Sequence, residues 1–265
     1  MRKLLEANHH RHLRTSSDSE VLLNIFADQL YRERKTNEDY IESVFKAASE
    51  TMKLIKGAYS VILMIDEVGL LAFRDPHGIR PLSLGKRDSK YGEDWAFSSE
   101  NVGFDVIGCE KVRDINPGEA VLITKEGECI ARQCVKGTLN PCIFEYIYLS
   151  RPDTMLDGIS VYKTQKRLGQ QLVPQIKAAN LDIDAIIPIP DSSRPIAIEM
   201  AKHLNVKYRE GIVKNRYVGR TFIMPDQPQR ERSVRRKHNA IPLEFKNRSV
   251  LLVDDSIVRG TTMKK

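Results

Sequence analysis

No apolar run in the 265-residue chain approaches the roughly 20 residues that a membrane-spanning helix needs. The first residues, Met1-Arg2-Lys3-Leu4-Leu5-Glu6, lack the long apolar core of a secretory signal. Cytosol is therefore the expected compartment, with no membrane partner. Cysteine is scarce as well: four residues, at 109, 129, 134 and 142, with no C-x-x-C pair among them. That spacing argues against a zinc site and for reduced, mostly structural thiols. What remains is a chain long enough for two domains or one large one. It is 41% hydrophobic and 29% charged, as soluble globular proteins are. Its net charge of +7 points to nucleic acid or to a polyphosphate substrate, and the placement of that charge decides between them.

The stretch around which the rest is organised runs from Val250 to Thr262. Val250-Leu251-Leu252-Val253 has the composition of a fully buried strand, and Asp254-Asp255 follow it at once. A carboxylate pair at a strand end can accept hydrogen bonds from sugar hydroxyls or face a divalent cation. Beyond Ser256, Ile257, Val258 and Arg259, Gly260 permits close backbone approach to a phosphate, and Thr261 and Thr262 add hydroxyl donors. The competing reading is an ordinary polar turn with Asp255 or Ser256 capping a helix.

Upstream, apolar spacing predicts a helix over 16–31, capped by Ser17 or Asp18, and a second over about 37–55. Strands are expected at 59–65, 70–73, 82–85, 95–100 and 120–123, separated by turn signals such as Asn116-Pro117-Gly118. Arg74-Asp75-Pro76-His77-Gly78-Ile79-Arg80-Pro81 reads as a stiff polar loop. This half is an α+β layer arrangement. The segment 140–153 reads as a crossing between domains, mixing β-prone aromatics with a proline-bounded turn. The second half changes pattern. A helix is expected over about 160–178, with Pro174 as a kink or break. A short buried strand at 184–190 leads into Asp191-Ser192-Ser193-Arg194, Pro195 opens a helix, and 206–208 begins another strand. Strand, loop, helix and strand in that order indicate a parallel α/β sheet. The 191–194 loop is a second phosphate candidate, with helix capping by Ser192 or Ser193 as its alternative. From Arg209 to Lys237 the chain carries nine lysines and arginines against three acids. Its place between two phosphate-type loops, with no nucleic-acid motif beside it, favours an anion-ordered loop over a nucleic-acid surface.

Leu251-Leu252-Val253-Asp254-Asp255-Ser256-Ile257-Val258-Arg259-Gly260-Thr261-Thr262 resembles the phosphoribosyl-pyrophosphate (PRPP) signature of type I phosphoribosyltransferases, in the wording of the glutamine PRPP amidotransferase family. The first half is similar to that family's glutaminase domain in HLRTSSDSE, GAYSV, FRDPHGIRPLSLG, SSENVGFD and DINPGEAVLI. The resemblance implies an N-terminal-nucleophile-hydrolase-like α+β domain over 1–140, a crossing over 141–159, and a type I phosphoribosyltransferase α/β domain over 160–265. It begins inside the glutaminase domain and stops just after the PRPP loop, so an internal fragment of a protein about twice as long is expected. The family's nucleophile is a cysteine at the mature N-terminus. Residue 1 here is methionine and no cysteine precedes Cys109, so this polypeptide is not expected to hydrolyse glutamine.

Residue by residue, the resemblance implies that Asp18 holds the glutamine α-amino group. Asp254 and Asp255 hold the ribose hydroxyls and face magnesium. Ser256, Ile257, Val258, Arg259, Gly260, Thr261 and Thr262 wrap the 5′-phosphate. Ser192 offers a hydroxyl to the metal, Arg194 supplies charge, and Lys214 and Tyr217 reach substrate from the basic loop, with Arg216 and Arg220 as weaker candidates. The implied cofactor is Mg²⁺; an iron–sulfur ligand at Cys142 is the less favoured reading beside a structural thiol. The implied activity makes 5-phosphoribosylamine from PRPP and glutamine or ammonia, with purine nucleotides as inhibitors and a homo-oligomer as the assembly. No nucleic-acid partner is expected. Another phosphoribosyltransferase, a PRPP-sensing regulator, and a PRPP-binding module without activity are the alternatives.

Overall fold

The computed structural model describes residues 13–215, 217 and 238–257. The chain divides into two compact units, Met1–Cys142 with Met155–Asp157, and Ile143–Thr154 with Gly158–Lys265.

The first unit opens with helices α1 (Asp18–Arg34) and α2 (Tyr40–Leu54). Each starts at a residue suited to it. The Ser17 hydroxyl accepts from Ser19 N, and Asp39 Oδ1 accepts from Ile41 N and Glu42 N. Strands β1 (Ser60–Ile65), β2 (Gly69–Arg74), β3 (Ser83–Ser89) and β4 (Gly92–Ser98) precede a short helix α3 (Val102–Ile107). Strands β5 (Glu110–Asp114), β6 (Glu119–Thr124), β7 (Cys129–Gln133) and the two-residue β8 (Met155–Leu156) complete the unit. Two antiparallel sheets result, ordered β1-β2-β6-β7 and β4-β3-β5.

Alternation along β2 and β6 explains the layering. Leu71, Phe73, Ala120 and Leu122 pack with Phe26, Val44, Phe45, Ala48 and Met52 of the helices. Their neighbours Ala72 and Val121 point the other way, against Leu82, Leu84 and Ile115. The four-stranded sheet is thus covered by helices on one face and by the smaller sheet on the other. Two of these strands, β5 and β7, do not follow from the sequence pattern.

The second unit begins with a π-helical turn at Glu145–Leu149, where strand-prone aromatics gave no helical signal. The short β9 (Ile159–Ser160) leads into α4 (Val161–Ala178). Helix α4 runs through Pro174 without the expected break. Next come β10 (Ala185–Pro188), α5 (Arg194–Leu204), β11 (Lys207–Tyr208) and β12 (Ile212–Lys214). Last are β13 (His238–Ala240), a short helix α6 (Pro242–Phe245) and β14 (Val250–Val253). Strands β11, β10 and β14 form a parallel sheet with β10 central; β12 and β13 form an antiparallel pair.

Val173 of α4 and Ile196, Ala197, Met200 and Ala201 of α5 pack with Ile186 and Val253 of the parallel sheet. The two helices approach closely at Gly169, where a Cβ would stand 2.6 Å from the Ile196 carbonyl oxygen. Between them lies a buried carboxylate, Glu199. It accepts from Gln170 Nε2 at 2.7 Å and pairs with Lys166 Nζ and His203 Nε2, each at 3.2 Å. These hydrogen bonds, Gln170's first, hold its pKa down at about 2. Among the described residues no helix is long and apolar enough to cross a membrane.

Candidate functional site

Strands β10 and β14 pair in parallel from Ala185↔Val250 to Pro188↔Val253, so the segments that follow them leave the same edge of the sheet. That edge is where open parallel sheets bind ligands. The backbone keeps the two segments together past the strands, with Ile189 N donating to Val253 O at 2.8 Å. The side chains then complete the junction: Ser192 Oγ donates to Asp255 Oδ2 at 2.5 Å. Ser256 Oγ donates to the other oxygen, Oδ1, at 2.7 Å, and Asp255 N donates to Asp254 Oδ1 at 2.9 Å.

Asp254 is half-buried at the end of the strand. Burial, and secondarily the charge of Asp255, push its pKa up to about 6, although the backbone N–H of Asp255 opposes the rise. A crowded carboxylate pair of this kind is stabilised by a cation. Asp254, Asp255 and the Ser192 hydroxyl are all oxygen donors, the set that suits a hard divalent ion. Among the described residues no group of three or more His, Cys, Asp or Glu side chains could hold a metal. Magnesium is commonly held by one or two carboxylates together with substrate phosphates, so a pair matches its habit.

The 191–194 loop does not cap its helix as the alternative reading required. Ser193 stands at the N-cap position of α5 but makes no side-chain capping bond, and its fully buried Oγ has no hydrogen-bond partner among the described residues. Ser192 is engaged with Asp255 instead. Arg194 is not a free cation. Its Nη1 donates to Asp191 Oδ1 at 2.7 Å, and its Nε and Nη2 donate to Glu210 at 3.1 and 3.4 Å. Lys214, at the end of β12, donates to Asp191 Oδ2 at 2.6 Å.

Ser192, Arg194, Lys214, Asp254, Asp255 and Ser256 are therefore joined by two short networks, one through Asp255 and one through Asp191. Asp191 and Glu210 carry the second network and were not singled out in the sequence. Their only signal is acidic character beside basic neighbours in a phosphate-type loop and at a strand start.

Other candidates fall elsewhere. Ile257 and Tyr217 are exposed, Tyr217 completely, and the backbone N–H of Tyr217 donates to Asn215 Oδ1 at 3.0 Å. Val258, Arg259, Gly260, Thr261, Thr262, Arg216 and Arg220 lie outside the described residues. Asp18 belongs to the first unit and is exposed in the first turn of α1, where Ser17 rather than Asp18 makes the capping bond. All four cysteines are free thiols. Burial raises the pKa of Cys129, and that of Cys134 to about 11, which keeps both protonated and unreactive at neutral pH. A cavity of about 280 Å³, lined by Asp184, Ala185, Lys207, Arg209, Asn247 and Arg248, lies at the amino ends of the parallel strands, away from the loops.

A glutamine amidotransferase domain model matches residues 1–105 and a phosphoribosyl transferase domain model matches residues 155–265. The chain is 52% identical over 258 residues to the amidophosphoribosyltransferase of Pseudomonas aeruginosa, covering 96% of this chain and 51% of that protein. It is 47% identical over 275 residues to the Saccharomyces cerevisiae enzyme of the same name, covering 100% of this chain and 53% of that protein. The chain thus spans about half the length of the curated relatives it matches. The structure of glutamine PRPP amidotransferase from B. subtilis, complexed with ADP and GMP, superposes with a TM-score of 0.78 at 35% identity, covering 98% of this chain and 53% of that one. By sequence, by domain order and by fold, the chain belongs to the amidophosphoribosyltransferase family.

Proposed function

We propose that this chain carries the PRPP-binding edge of an amidophosphoribosyltransferase, the activity that makes 5-phosphoribosylamine for purine synthesis from PRPP and glutamine-derived ammonia. Residues 1–140 form the glutaminase-type domain in this reading, 141–159 the crossing, and 160–265 the phosphoribosyltransferase domain. The observation that carries the reading is the juxtaposition of Asp254 and Asp255 with the 191–194 loop, closed by the Ser192–Asp255 hydrogen bond.

The chemistry follows from where charge moves. An ammonia nitrogen bonds to C1 of the ribose as the C1–oxygen bond to pyrophosphate breaks. Positive charge builds on the ring and negative charge on the departing diphosphate. Asp254 and Asp255 accept from the ribose hydroxyls and fix the ring. Lys214 and Arg194 stand on the side of the 191–194 loop, where the diphosphate charge is met. Asp254, Asp255 and the Ser192 hydroxyl would hold a magnesium ion, which would supply electrostatic stabilisation of that leaving charge. The segment Ser256–Thr262 takes the 5′-phosphate on the strength of its sequence. No side chain of this half acts as a nucleophile; orientation, electrostatics and exclusion of water do the work. Asp18 serves glutamine in the other half. Purine nucleotides are the inhibitors and a homo-oligomer is the assembly in this reading.

The test is calorimetric titration of the 265-residue chain with PRPP, with and without magnesium, and with ribose 5-phosphate as the comparison ligand. PRPP is expected to bind at least tenfold more tightly than ribose 5-phosphate, and only the PRPP affinity is expected to rise with magnesium. A folded chain that binds neither ligand, or binds both equally, overturns the reading.

A further inference from the structure

Asp191 occupies a singular place in the second unit. It lies in the loop that reaches the carboxylate pair through its neighbour Ser192. Yet its own side chain turns to cations rather than to a metal-type site. Oδ1 accepts from Arg194 Nη1 at 2.7 Å and Oδ2 accepts from Lys214 Nζ at 2.6 Å. Among the described residues one carboxylate thus engages both Arg194 and Lys214, and the second contact spans 23 residues of sequence. Glu210 steadies the far side of Arg194, and Tyr208 Oη in turn donates to Glu210. The pairs are only partly buried, with side-chain exposures of 43% for Asp191, 37% for Arg194 and 28% for Lys214. Pairs in such surroundings are weak and exchangeable.

We propose that Asp191 is an internal stand-in for the substrate's diphosphate, holding Lys214 and Arg194 while the site is empty and yielding them when the polyanion arrives. The inference rests on the reading that this loop meets a diphosphate. The physical argument is one of competition. A diphosphate presents anionic oxygens on adjacent phosphorus atoms and carries more charge than one carboxylate, so it wins the same two donors. Until then Asp191 keeps two neighbouring cations from repelling each other and fixes their positions. Its charge also raises the threshold for weak anions, because an entering anion must displace it. Asp191 is in this sense a positioning and selectivity residue, acting through Lys214 and Arg194.

Two measurements on the full chain test the idea. The first needs no ligand: the acylation rate of each lysine, read by mass spectrometry. Asp191→Asn is expected to raise the rate at Lys214 several-fold while the other lysines are unchanged. The second is calorimetry with inorganic pyrophosphate in the absence of magnesium. Asp191→Asn is expected to bind about three- to tenfold more tightly than the wild type, the scale set by losing two exposed pairs. The gain should vanish in the Asp191→Asn, Lys214→Gln double variant. Asp191→Ser gives the same readouts should the asparagine variant fail to fold. Unchanged Lys214 reactivity, or pyrophosphate binding that is equal or weaker in the Asp191 variants, overturns the proposal. A wild type that binds magnesium-PRPP but shows no response to Asp191→Asn loses the stand-in alone. A wild type that binds neither PRPP nor pyrophosphate loses the proposed function as well.

Discussion

Two arginines in motif-like stretches have opposite fates. Arg74, in the first unit, is 1% exposed and completely satisfied. Its guanidinium donates to the carbonyls of Arg80, Ile115 and Gly78 and to both oxygens of Asp157. Its neighbour Asp75, also fully buried, accepts from the backbone N–H groups of His77, Ile79 and Arg80. Arg194, in the second unit, is partly exposed and held by acidic side chains that a stronger anion could displace. Both sit in sequence that marks the family. Only one has donors that another group could claim. The stretch FRDPHGIRPLSLG is thus architecture, whereas DSSR and VDDSI are the stretches to which the proposed function assigns chemistry. Burial with full satisfaction separates the two more surely than the strength of a motif.

The largest effect that would break this comparison is at Arg74. Arg74→Met leaves the Asp157 carboxylate and three carbonyl groups without their donor, at a cost of about 3–5 kcal/mol of stability. Urea denaturation followed by Trp95, the single tryptophan and a member of the first unit, reads that cost. Arg194→Met, by contrast, is expected to change stability by less than about 1 kcal/mol. Equal costs for the two substitutions would erase the distinction between a satisfied and an exchangeable guanidinium.

A smaller effect sharpens it within the second unit, through Glu199. Its pKa is depressed to about 2 by Gln170, Lys166 and His203. A depressed folded-state value means that the ionised form stabilises the fold above the ordinary value of 4.5, and that this contribution is lost as pH falls from there toward 2. The urea midpoint of the parallel unit is therefore expected to decline across that window, and Glu199→Gln to flatten the decline. A profile unaltered by the substitution would show that the carboxylate is not what joins α4 to α5.

Much of this was legible in the sequence, and the failures have physical causes. Helical spacing of Val44, Phe45, Ala48 and Met52 gave α2, and the apolar run before Asp254 gave β14. Helix α2 buries a face, so composition reports it. Strand β14 forms as expected but is not fully buried: Val253 is buried, whereas Val250, Leu251 and Leu252 are half-buried, because β14 is an edge of the sheet among the described residues. Strands β5 and β7 have the sequences EKVRD and CIARQ. Both are edge strands of their sheets, carry charged side chains, and show no apolar alternation. The turn at Glu145–Leu149 is π-helical because tertiary contacts outweigh the strand preference of its Tyr and Ile residues.

The cluster at the sheet edge was legible where it is built from consecutive residues, as at Asp254, Asp255 and Ser256. Contacts between distant segments were not legible. Nothing in the chain order announces that Asp191 meets Lys214, or that Arg74 meets Asp157. The capping role weighed for Ser192 was a sound local reading. It lost to Asp255, a partner 63 residues away.

The central claim is that the carboxylate pair beside the 191–194 loop binds the ribose and magnesium of PRPP. The most direct measurement is calorimetric titration of magnesium-PRPP into the 265-residue chain and into its Asp254→Asn, Asp255→Asn variant, with circular dichroism confirming that both are folded. The account predicts binding by the wild type and a loss of at least tenfold in the variant. Undiminished binding by a folded variant would contradict it.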